Sequence, residues 1–386
     1  MDNYLDYLAA REQLIARSFW LGQQNYFDML NRLNTNVQSN FTGVDTPAKP
    51  ITPPPSTGSR LAGVIDPSQV TPPKTNVRKF NKEAFYDELT GEVIGQKQAL
   101  EALTNLISVH VRKPKPKRPA TVLLAGPTGT GKTLTAEQVA KLLTKHTGND
   151  WGYIRVDLNQ LTKSHNVSML LGTTAGYVGY DDPLLFEPLM KNKRQVILLD
   201  EMEKGHPDVL KVLMNAMGNG RLETNRPIDG QREFDFRQSI MLFTSNLPLS
   251  VENLGDMTQA DITRECREQL IEPADGRPAM PPEIAARFSE ILLFRQLSDT
   301  DRVGILALTV IRTAEQYELN VRKIYPELLQ DIVNHISVDR GARDAACAIE
   351  SILGEPLAAF ASGHEGIRDV ALSGSSEQVI VQPHVG

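Results

Sequence analysis

Short apolar runs alternate with amphipathic stretches between residues 80 and 296. The stretches, such as 133–145 and 207–217, carry apolar residues at helical spacing. Because the runs are largely apolar on both faces, the pattern predicts a parallel sheet covered by helices, an α/β fold. The five predicted strands lie at 121–125, 153–157, 196–200, 239–243 and 291–294.

The pattern changes after residue 296. It is helical from about 297 to 361 and ends in two possible short strands near 368–372 and 377–382. We therefore expect a smaller, mainly helical C-terminal domain over 297–386, next to a large α/β domain over 80–296.

The first 79 residues differ from the rest. Residues 1–41 look helical and hold seven of the 23 aromatic residues, which is more apolar surface than so short a segment can bury alone. We expect this segment to dock either on the rest of the chain or on an unknown partner or adaptor. Residues 42–79 are rich in proline and predict an extended linker.

Composition and charge disfavour nucleic-acid-binding, membrane-spanning and secreted proteins. With 41 basic and 47 acidic residues the formal net charge is −6, which disfavours bulk nucleic-acid binding. No uninterrupted apolar run reaches about 18 residues, so no membrane span is expected. The first residues lack the order of a signal peptide, and Cys266 and Cys347 cannot form a disulfide framework. These features predict a cytoplasmic protein.

A phosphate-binding loop follows the first predicted strand and precedes a predicted helix. It matches the pattern Gly-x4-Gly-Lys-Ser/Thr, in which glycines let backbone N–H groups converge on phosphate oxygens. The lysine reaches the β and γ phosphates and the threonine hydroxyl binds magnesium, so ATP and Mg²⁺ are the expected cofactors. The loop consists of Gly126, Pro127, Thr128, Gly129, Thr130, Gly131, Lys132 and Thr133.

Two carboxylates end the third predicted strand, 196–200. Ligands bind at the carboxyl ends of strands in open α/β sheets, so this pair belongs beside the phosphate loop. We expect Asp200 to hold magnesium through water and Glu201 to polarise the attacking water as a general base.

From about residue 91 to 386, the chain resembles the AAA+ ATPases of the Clp family, the bacterial protein unfoldases and disaggregases. Besides the phosphate loop, the matching stretches are 200–209 (DEMEKGHPDV), 220–222 (GRL), 235–237 (DFR) and 243–247 (FTSNL). The resemblance implies an AAA+ large domain with a smaller C-terminal domain. It also implies a ring-forming ATPase of six subunits that pulls polypeptide through a central pore.

The resemblance assigns roles to further residues. The segment 93–96 (VIGQ), with Val93 and Ile94, matches the one that packs against adenine, and Asn246 matches the sensor-one residue. Arg287 matches the arginine finger that enters a neighbouring subunit's site, and Arg343 matches sensor two on the small domain. In phosphoryl transfer such an arginine neutralises developing charge.

A glycine-flanked aromatic loop resembles the Clp pore loop; it is formed by Gly176, Tyr177, Val178 and Gly179. An aromatic and an aliphatic side chain grip polypeptide of any sequence by apolar contact. Asp181 and Asp182 follow this apolar tip, which disfavours a nucleic-acid backbone as the substrate. Tyr180 is expected to be structural.

The chain also departs from the family. Residues 247–286 lack the Ile/Leu-Gly-Phe/Leu tripeptide that docks Clp unfoldases on their peptidase, so no such peptidase is expected. Residues 223–233 are longer than usual and are expected to alter a second pore loop. The basic run 112–118 is interrupted by prolines and is expected to be a solvated connection.

Three functions remain open at this point. The first is an unfoldase that threads polypeptide through a ring. The second is an ATP-switched assembly or recruitment factor of the secretion, transposition or defence type, which shares the nucleotide site but does not thread. The third, a DNA motor, is disfavoured by the acidic residues beside the predicted pore loop.

Overall fold

A computed structural model describes residues 80–173, 180–251, 257–276, 278–335, 342–364 and 366–384. The predicted docking segment 1–41, the linker 42–79 and the predicted pore loop 176–179 lie outside the described residues. Of Arg343, only the helical backbone is described. In chain order, the helices and strands are α1 (Lys82–Glu92), α2 (Lys97–Arg112), β1 (Ala120–Ala125), α3 (Lys132–Thr147), β2 (Gly152–Asp157), α4 (Ser168–Leu171), α5 (Pro188–Lys191), β3 (Gln195–Asp200), α6 (Pro207–Asn219), β4 (Arg221–Ile228), β5 (Gln231–Asp235), β6 (Ile240–Ser245), α7 (Gln259–Ile271), α8 (Pro282–Ala285), β7 (Glu290–Leu293), α9 (Asp299–Gln316), β8 (Asn320–Ile324), α10 (Pro326–His335), α11 (Ala342–Gly363), β9 (Asp369–Gly374) and β10 (Val379–Pro383).

The five predicted strands form one parallel sheet in the order β2-β3-β6-β1-β7, which confirms the predicted fold class. The central strands β1, β3 and β6 are buried at every residue. In the register, Ala125 lies opposite Ser245, and Asp157 lies opposite Asp200. The carboxyl ends of the strands therefore meet at one edge of the sheet.

Each face of the sheet packs on its own hydrophobic core. Leu123 and its neighbours on one face pack with residues of α6 and α7. Val122 and Leu124 on the opposite face pack with residues of α1, α2 and α3. Because successive side chains of a strand point to opposite faces, both parities must be apolar, which is why the strands read as unbroken apolar runs.

The C-terminal region has a third core among α9, α10, α11 and a small sheet in the order β10-β9-β8. The two strands expected near the end of the chain are present as β9 and β10. Strand β8 differs from the expectation of helix alone over 297–361. Its five residues are polar or half-buried, and it pairs with β9, which is 49 residues away between Asn320 and Asp369, so no local apolar pattern marks it.

A β-hairpin occupies the extended segment after α6, where the sequence analysis assigned no strand. β4 and β5 pair antiparallel around Asp229 and Gly230, which both have positive φ (48° and 77°), as hairpin turns of this length require. The hairpin is anchored by Phe234, whose ring packs edge-on against Phe186 at 6.2 Å. Exposed positions alternate with buried ones over most of β4, and five of its eight residues are polar or charged, so this strand lacks a continuous apolar run.

One helical segment, Ala345–Gly363 within α11, is long and apolar enough by composition to cross a membrane, although Glu350 and Glu355 interrupt its apolar run. Its Ile349, Leu353 and Leu357 are fully buried in the third core. Spacings of four residues place these side chains on one stripe of the helix, as in core helices of globular domains.

Candidate nucleotide site

The phosphate loop 126–133 joins β1 to α3 and requires glycine at two places. Gly126 has φ 151°, and a Cβ there would lie 2.1 Å from the carbonyl oxygen of Phe294. Gly131 has φ 94° at the start of α3, where none of the described side chains caps the helix. The first-turn N–H groups of α3 are thus left for a ligand, and phosphate fits this cradle.

Lys132 lies inside this loop. Its Nζ donates to the carbonyl oxygens of Gly126 and Pro127, both at 2.6 Å, and to Oδ1 of Asn246 at 3.0 Å. Burial lowers the pKa of Lys132 to about 8, although nearby carboxylates, Glu203 among them, oppose that shift. The side chain therefore begins to lose its proton just above neutral pH, and a bound phosphate would stabilise its protonated form.

Asp200 is held by three side chains. Thr244 Oγ1 donates to its Oδ1 at 2.5 Å, and Arg155 Nη2 donates to its Oδ2 at 2.8 Å. Thr133 Oγ1 lies 3.4 Å from both carboxylate oxygens. A hydroxyl beside a carboxylate is a set of hard oxygen ligands, so the residues present fit Mg²⁺.

Asn246 connects the lysine to the acidic pair. Its Oδ1 accepts from Lys132, and its Nδ2 donates to Glu201 Oε1 at 3.5 Å. The backbone N–H of Asn246 donates to Glu203 Oε1 at 3.1 Å. Lys204 Nζ donates to Glu201 Oε2 at 2.8 Å, so the carboxylate expected to act as general base has an ammonium on its other oxygen. The four predicted residues Lys132, Asp200, Glu201 and Asn246 therefore meet at one edge of the sheet.

Val93 and Ile94 lie in the connection between α1 and α2. Val93 is buried, and a Cβ on Gly131 would come within 3.3 Å of its Cγ1, so this side chain contacts the end of the phosphate loop. Ile94 points the other way, because a Cβ on Gly304 of α9 would lie 3.3 Å from its Cδ1. The segment predicted to contact adenine is thus placed between the phosphate loop and α9.

Arg287 lies at the opposite end of the sheet. Its carbonyl accepts from Thr121 Oγ1 at 2.6 Å, next to the start of β1, whereas the phosphate loop follows the end of β1. The four residues between Thr121 and Gly126 span roughly 13 Å or more. The guanidinium of Arg287 packs on Gly218 of α6, since a Cβ there would lie 2.7 Å from Nη1. The structure therefore separates Arg287 from the phosphate loop of its own chain.

The turn that carries Arg287 is held by Arg267 of α7. Arg267 donates from Nε to the carbonyl of Ala285 at 3.1 Å and from Nη2 to the carbonyl of Phe288 at 3.0 Å. Five donors in a planar fork suit a guanidinium to bridging two carbonyls of one turn.

Three further residues contribute to the site: Arg155 and Thr244, which no motif marks, and Gln96, which ends the predicted adenine segment 93–96 but makes hydrogen bonds that this prediction did not include. Arg155 could have been predicted from the sequence, because it lies on β2, the strand paired with β3, two residues before Asp157. Residues two apart on a strand share one face, so Arg155 and Asp157 lie on the same side at the carboxyl edge. Thr244 is the penultimate residue of β6; its Oγ1 donates to Asp200 Oδ1 at 2.5 Å and accepts from the backbone N–H of Glu201 at 2.9 Å. Gln96 bonds to residues 34 and 199 positions away, which no local pattern indicates.

Both the sequence and the fold are similar to those of known proteins. Residues 117–291 match the family model described as AAA domain (Cdc48 subfamily). The chaperone protein ClpB of Brucella suis biovar 1 is 33% identical over 282 residues, which cover 70% of this chain and 30% of ClpB. ClpB of Vibrio cholerae serotype O1 is 31% identical over 318 residues, with 78% and 35% covered.

A solved structure has the same arrangement over most of this chain. It is a closed-state cryo-EM reconstruction of Hsp104 with ATPγS and FITC-casein, with TM-score 0.58 and 27% identity, covering 78% of this chain and 51% of that one. The chain spans about a third of the length of the ClpB relatives that it matches. The family match, the relatives and the fold confirm the resemblance, and the chain belongs to the Clp family of AAA+ nucleotide-binding proteins.

Proposed function

We propose that this chain is an ATPase that remodels proteins, an unfoldase that threads polypeptide through the pore of a ring. The observation that carries the proposal is the position of the charged groups on the sheet. Lys132, Asp200, Glu201 and Asn246 meet at the carboxyl edge, while Arg287 lies at the opposite edge. A site that needs this arginine is completed by a second subunit.

The chain's own residues divide the chemistry among them. Lys132 and the N–H groups of α3 bind the phosphates, and Glu201 takes a proton from the attacking water as general base. Asn246 bonds to both Lys132 and Glu201 and therefore keeps the base aligned with the phosphate end of the site. Thr133 and Asp200 would hold magnesium, which when bound offsets negative charge on the phosphates.

The placement of Arg287 supports assembly into a ring. An arginine at one edge of the sheet and a phosphate loop at the other make a head-to-tail contact, which closes into a ring when the rotation between subunits allows it. We propose a homo-oligomeric ring of six subunits, as the family resemblance implies. Arg343 of the small domain 297–386 is proposed to contact the nucleotide from the same chain as sensor two.

The proposed substrate is polypeptide, gripped by Tyr177 and Val178 of the loop 176–179. Support comes from the hairpin, whose residues hold both described ends of this segment. Asn225 Nδ2 donates to the carbonyl of Gly172 at 2.7 Å, and Arg226 Nη2 donates to the carbonyl of Asp182 at 2.7 Å. The Arg226 guanidinium also lies 5.7 Å from the ring centre of Tyr180. The longer hairpin therefore braces the base of the proposed grip.

Further elements of the proposal rest on the sequence. The large domain is assigned to 80–296, the aromatic segment 1–41 is proposed to recruit an unknown partner or adaptor, and residues 42–79 are proposed to connect the two. The protein is proposed to act in the cytoplasm. No Clp-type peptidase and no nucleic acid are proposed as partners.

The function is tested with the Tyr177→Ala variant. We expect Tyr177→Ala to keep ATP hydrolysis within about twofold, because Tyr177 is proposed to grip the substrate and has no proposed role in nucleotide binding, and to lose unfolding of a tagged fluorescent protein. A Tyr177→Phe variant keeps the flat apolar surface and is the matched control, which should unfold the substrate normally.

Equal loss of hydrolysis and unfolding in an assembled Tyr177→Ala ring would argue against threading. An unmodified chain that hydrolyses ATP and assembles without unfolding any tagged substrate would instead favour the ATP-switched assembly factor.

The Glu201→Gln variant should bind ATP without turning it over and should retain its client in a pull-down.

A further inference from the structure

Gln96 lies between the phosphate loop and the start of the C-terminal region. Its side chain is 2% exposed. Nε2 donates to the carbonyl of Thr130 at 3.3 Å and to the carbonyl of Arg295 at 2.9 Å, and Oε1 accepts from the N–H of Arg295 at 2.9 Å. One buried amide thus bonds to the phosphate loop and to both backbone groups of a residue in the connection that leads from β7 to α9.

This connection is also fastened to the base of the phosphate loop. The N–H of Phe294 donates to the carbonyl of Ala125 at 2.7 Å, and its carbonyl fills the space where Gly126 lacks a Cβ. Residues 294 and 295 are therefore held on both sides by groups that belong to the nucleotide site. A shift of the phosphate loop would act on the connection directly, because close-packed groups transmit displacement.

The side chain of Arg295 extends the contact to α9. Its Nε donates to the carbonyl of Gly95 at 2.7 Å, and its Nη2 donates to Asp301 Oδ2 at 3.1 Å. Asp301 forms a capping box with Ser298, and this capping box begins α9. The path from the phosphate loop to the first turn of α9 therefore passes through one amide and one guanidinium.

The segment before Gln96 follows α9 along its length. Gly95 has φ 88°, and a Cβ there would lie 2.8 Å from Leu297 and 2.9 Å from Asp301. Ile94 lies against Gly304, and Glu92 forms an ion pair with Arg312. Three positions of α9, together with Leu297 just before its N-cap, thus contact the same short segment, which also contacts the phosphate loop through Gln96.

We propose that Gln96 is a positioning residue that transmits the conformation of the phosphate loop to α9 and so sets the orientation of the C-terminal helical region. The inference rests on the nucleotide site of the proposed function but not on hydrolysis or threading. Gln96 acts because a buried amide cannot leave one of its partners without leaving a polar group unsatisfied, so the loop and the connection move together. Phosphate binding itself stays with Lys132 and the first turn of α3.

The test replaces Gln96 by leucine, which keeps the volume and removes all three hydrogen bonds. Hydrogen exchange is followed over residues 297–303, whose amides do not bond to Gln96, with and without ATPγS. In the unmodified chain we expect saturating ATPγS to slow this exchange by about threefold or more. In Gln96→Leu we expect the slowing to disappear, while mant-ADP binds within about threefold of the unmodified affinity.

Two further variants distinguish the loss of the Gln96 hydrogen bonds from general damage to the fold. Gln195→Leu removes a buried glutamine at the far end of β3, whose Nε2 donates to the Asn192 carbonyl at 2.9 Å, and should leave the ATPγS effect intact. Gln96→Glu keeps an acceptor for Arg295 N but loses the donor to Thr130, and should also lose the effect.

Three results would overturn the proposal for Gln96. An ATPγS effect that persists in folded Gln96→Leu, or that is absent from the unmodified chain, overturns the proposal. An affinity loss above about thirtyfold with the exchange effect retained at saturation also overturns it, because Gln96 would then only shape the pocket. Because only binding is measured, the exchange response can hold even if the chain proves unable to hydrolyse ATP or unfold proteins, and the two proposals fail independently.

Discussion

The charged side chains of the nucleotide site hold one another in place. Asn246 joins Lys132 to Glu201, and Asp200 is fixed by Thr244 and Arg155. Hydrogen bonds to ionised groups are stronger than neutral ones, and they pre-position groups that must later act on a phosphate. Burial lowers the pKa of Lys132 to about 8 and raises the pKa of Glu290 to about 7, so both side chains change charge near neutral pH.

The lowered pKa of Lys132 makes nucleotide binding depend on pH. We expect mant-ADP affinity to stay nearly constant below pH 7 and to fall by up to about tenfold per pH unit above pH 8, because the neutral amine loses its attraction for phosphate. Titrations at pH 7, 8 and 9 measure this fall. The Lys132→Arg control keeps its charge, so its affinity, although weaker, should not follow the same slope.

The lowered pKa of Lys132 also makes the stability of the folded chain depend on pH. Between pH 8 and about 10.5 the folded chain binds fewer protons at Lys132 than the unfolded chain, so this group makes the free energy of unfolding rise with pH in that window. A pH-independent mant-ADP affinity from pH 7 to 9 in the unmodified chain would contradict the assignment of Lys132 as the titrating group.

Glu290 opens β7 with a carboxylate oxygen that has no hydrogen-bond partner within the described ranges. Burial raises its pKa to about 7. Between pH 4.5 and 7 the folded chain keeps a proton that the unfolded chain releases, so stability falls as pH rises through this window. We expect Glu290→Gln to raise the free energy of unfolding at pH 8 by about 1–2 kcal/mol, because it removes a half-buried charge.

Urea unfolding at pH 5.5 and pH 8 measures the effect of Glu290→Gln. The gain should shrink at pH 5.5, where the carboxyl is already protonated in the folded chain. An equal gain at both pH values would show that packing, and not charge, is responsible.

At the scale of elements, helix α6 links the acidic pair to the opposite edge of the sheet. Its first turn follows the segment that begins with Asp200, and its last turn supports Arg287 on Gly218 and Arg237 on Gly220. The carboxyl end of a helix carries partial negative charge, so cations are favoured there. The missing side chains at these two glycines make room for the arginines.

Gly218→Ala should displace the guanidinium of Arg287 without unfolding α6. Alanine is favoured over glycine in helices by about 1 kcal/mol, and the group in its way is the end of a flexible side chain. We expect stability to change by no more than about 1 kcal/mol and ATP turnover to fall at least about tenfold, with nucleotide affinity unchanged. Coupled ATPase assays and thermal unfolding measure the two effects.

Gly91→Ala is the matched control for Gly218→Ala. Gly91 is also helical, and a Cβ there would meet nothing within 4 Å, so turnover should be unchanged. Normal turnover in Gly218→Ala would mean that the support of Arg287 by α6 is not needed for its action.

The sheet could be predicted from the sequence because its strands are buried on both faces and flanked by helices. The hairpin and β8 could not, because alternating or charged strands resemble loops and their partners are distant. In the site, the phosphate loop and Asp200 with Glu201 are marked by local order. Gln96 is not, since its partner Arg295 is 199 residues away and becomes its neighbour only in the folded chain.

For the whole molecule, the two edges of the sheet carry different charges. The edge where β1 begins follows the basic run 112–118, whose Lys113, Lys115, Lys117 and Arg118 are exposed. Arg118 also lies next to Gly220 at the end of α6, close to Arg237. At the carboxyl edge, the acidic pair is bonded to Arg155 and Lys204, so its charge is offset within the chain. If copies meet head to tail, as proposed, the exposed basic run would make their contact depend on salt.

Mixing two inactive variants tests whether Arg287 completes a second subunit's site. Arg287→Ala keeps the nucleotide residues, and Lys132→Ala keeps the arginine. Each alone should hydrolyse ATP at least about tenfold more slowly than the unmodified chain. Random co-assembly at equal amounts should recover about a quarter of full activity, because about one contact in four joins an intact site to an intact arginine.

Recovery requires co-assembly, so the mixture is measured together with its oligomeric state. Variants that are assembled separately and then mixed at low salt, where subunits should exchange least, serve as the control that should stay inactive. Failure to recover activity in verified mixed assemblies would place the action of Arg287 within its own chain.

Strand β7 lies at the edge of the sheet, and its two ends have different neighbours. One end is bonded beside Gly126 through Phe294, and the other follows the turn of Arg287 by three residues. This strand, about 13 Å long, therefore connects the phosphate loop of a chain to the turn that carries its Arg287. If Arg287 completes a neighbouring subunit's site, as proposed, a displacement of the phosphate loop would be passed along the strand to the arginine, and the subunits of a ring would hydrolyse ATP in sequence rather than at random.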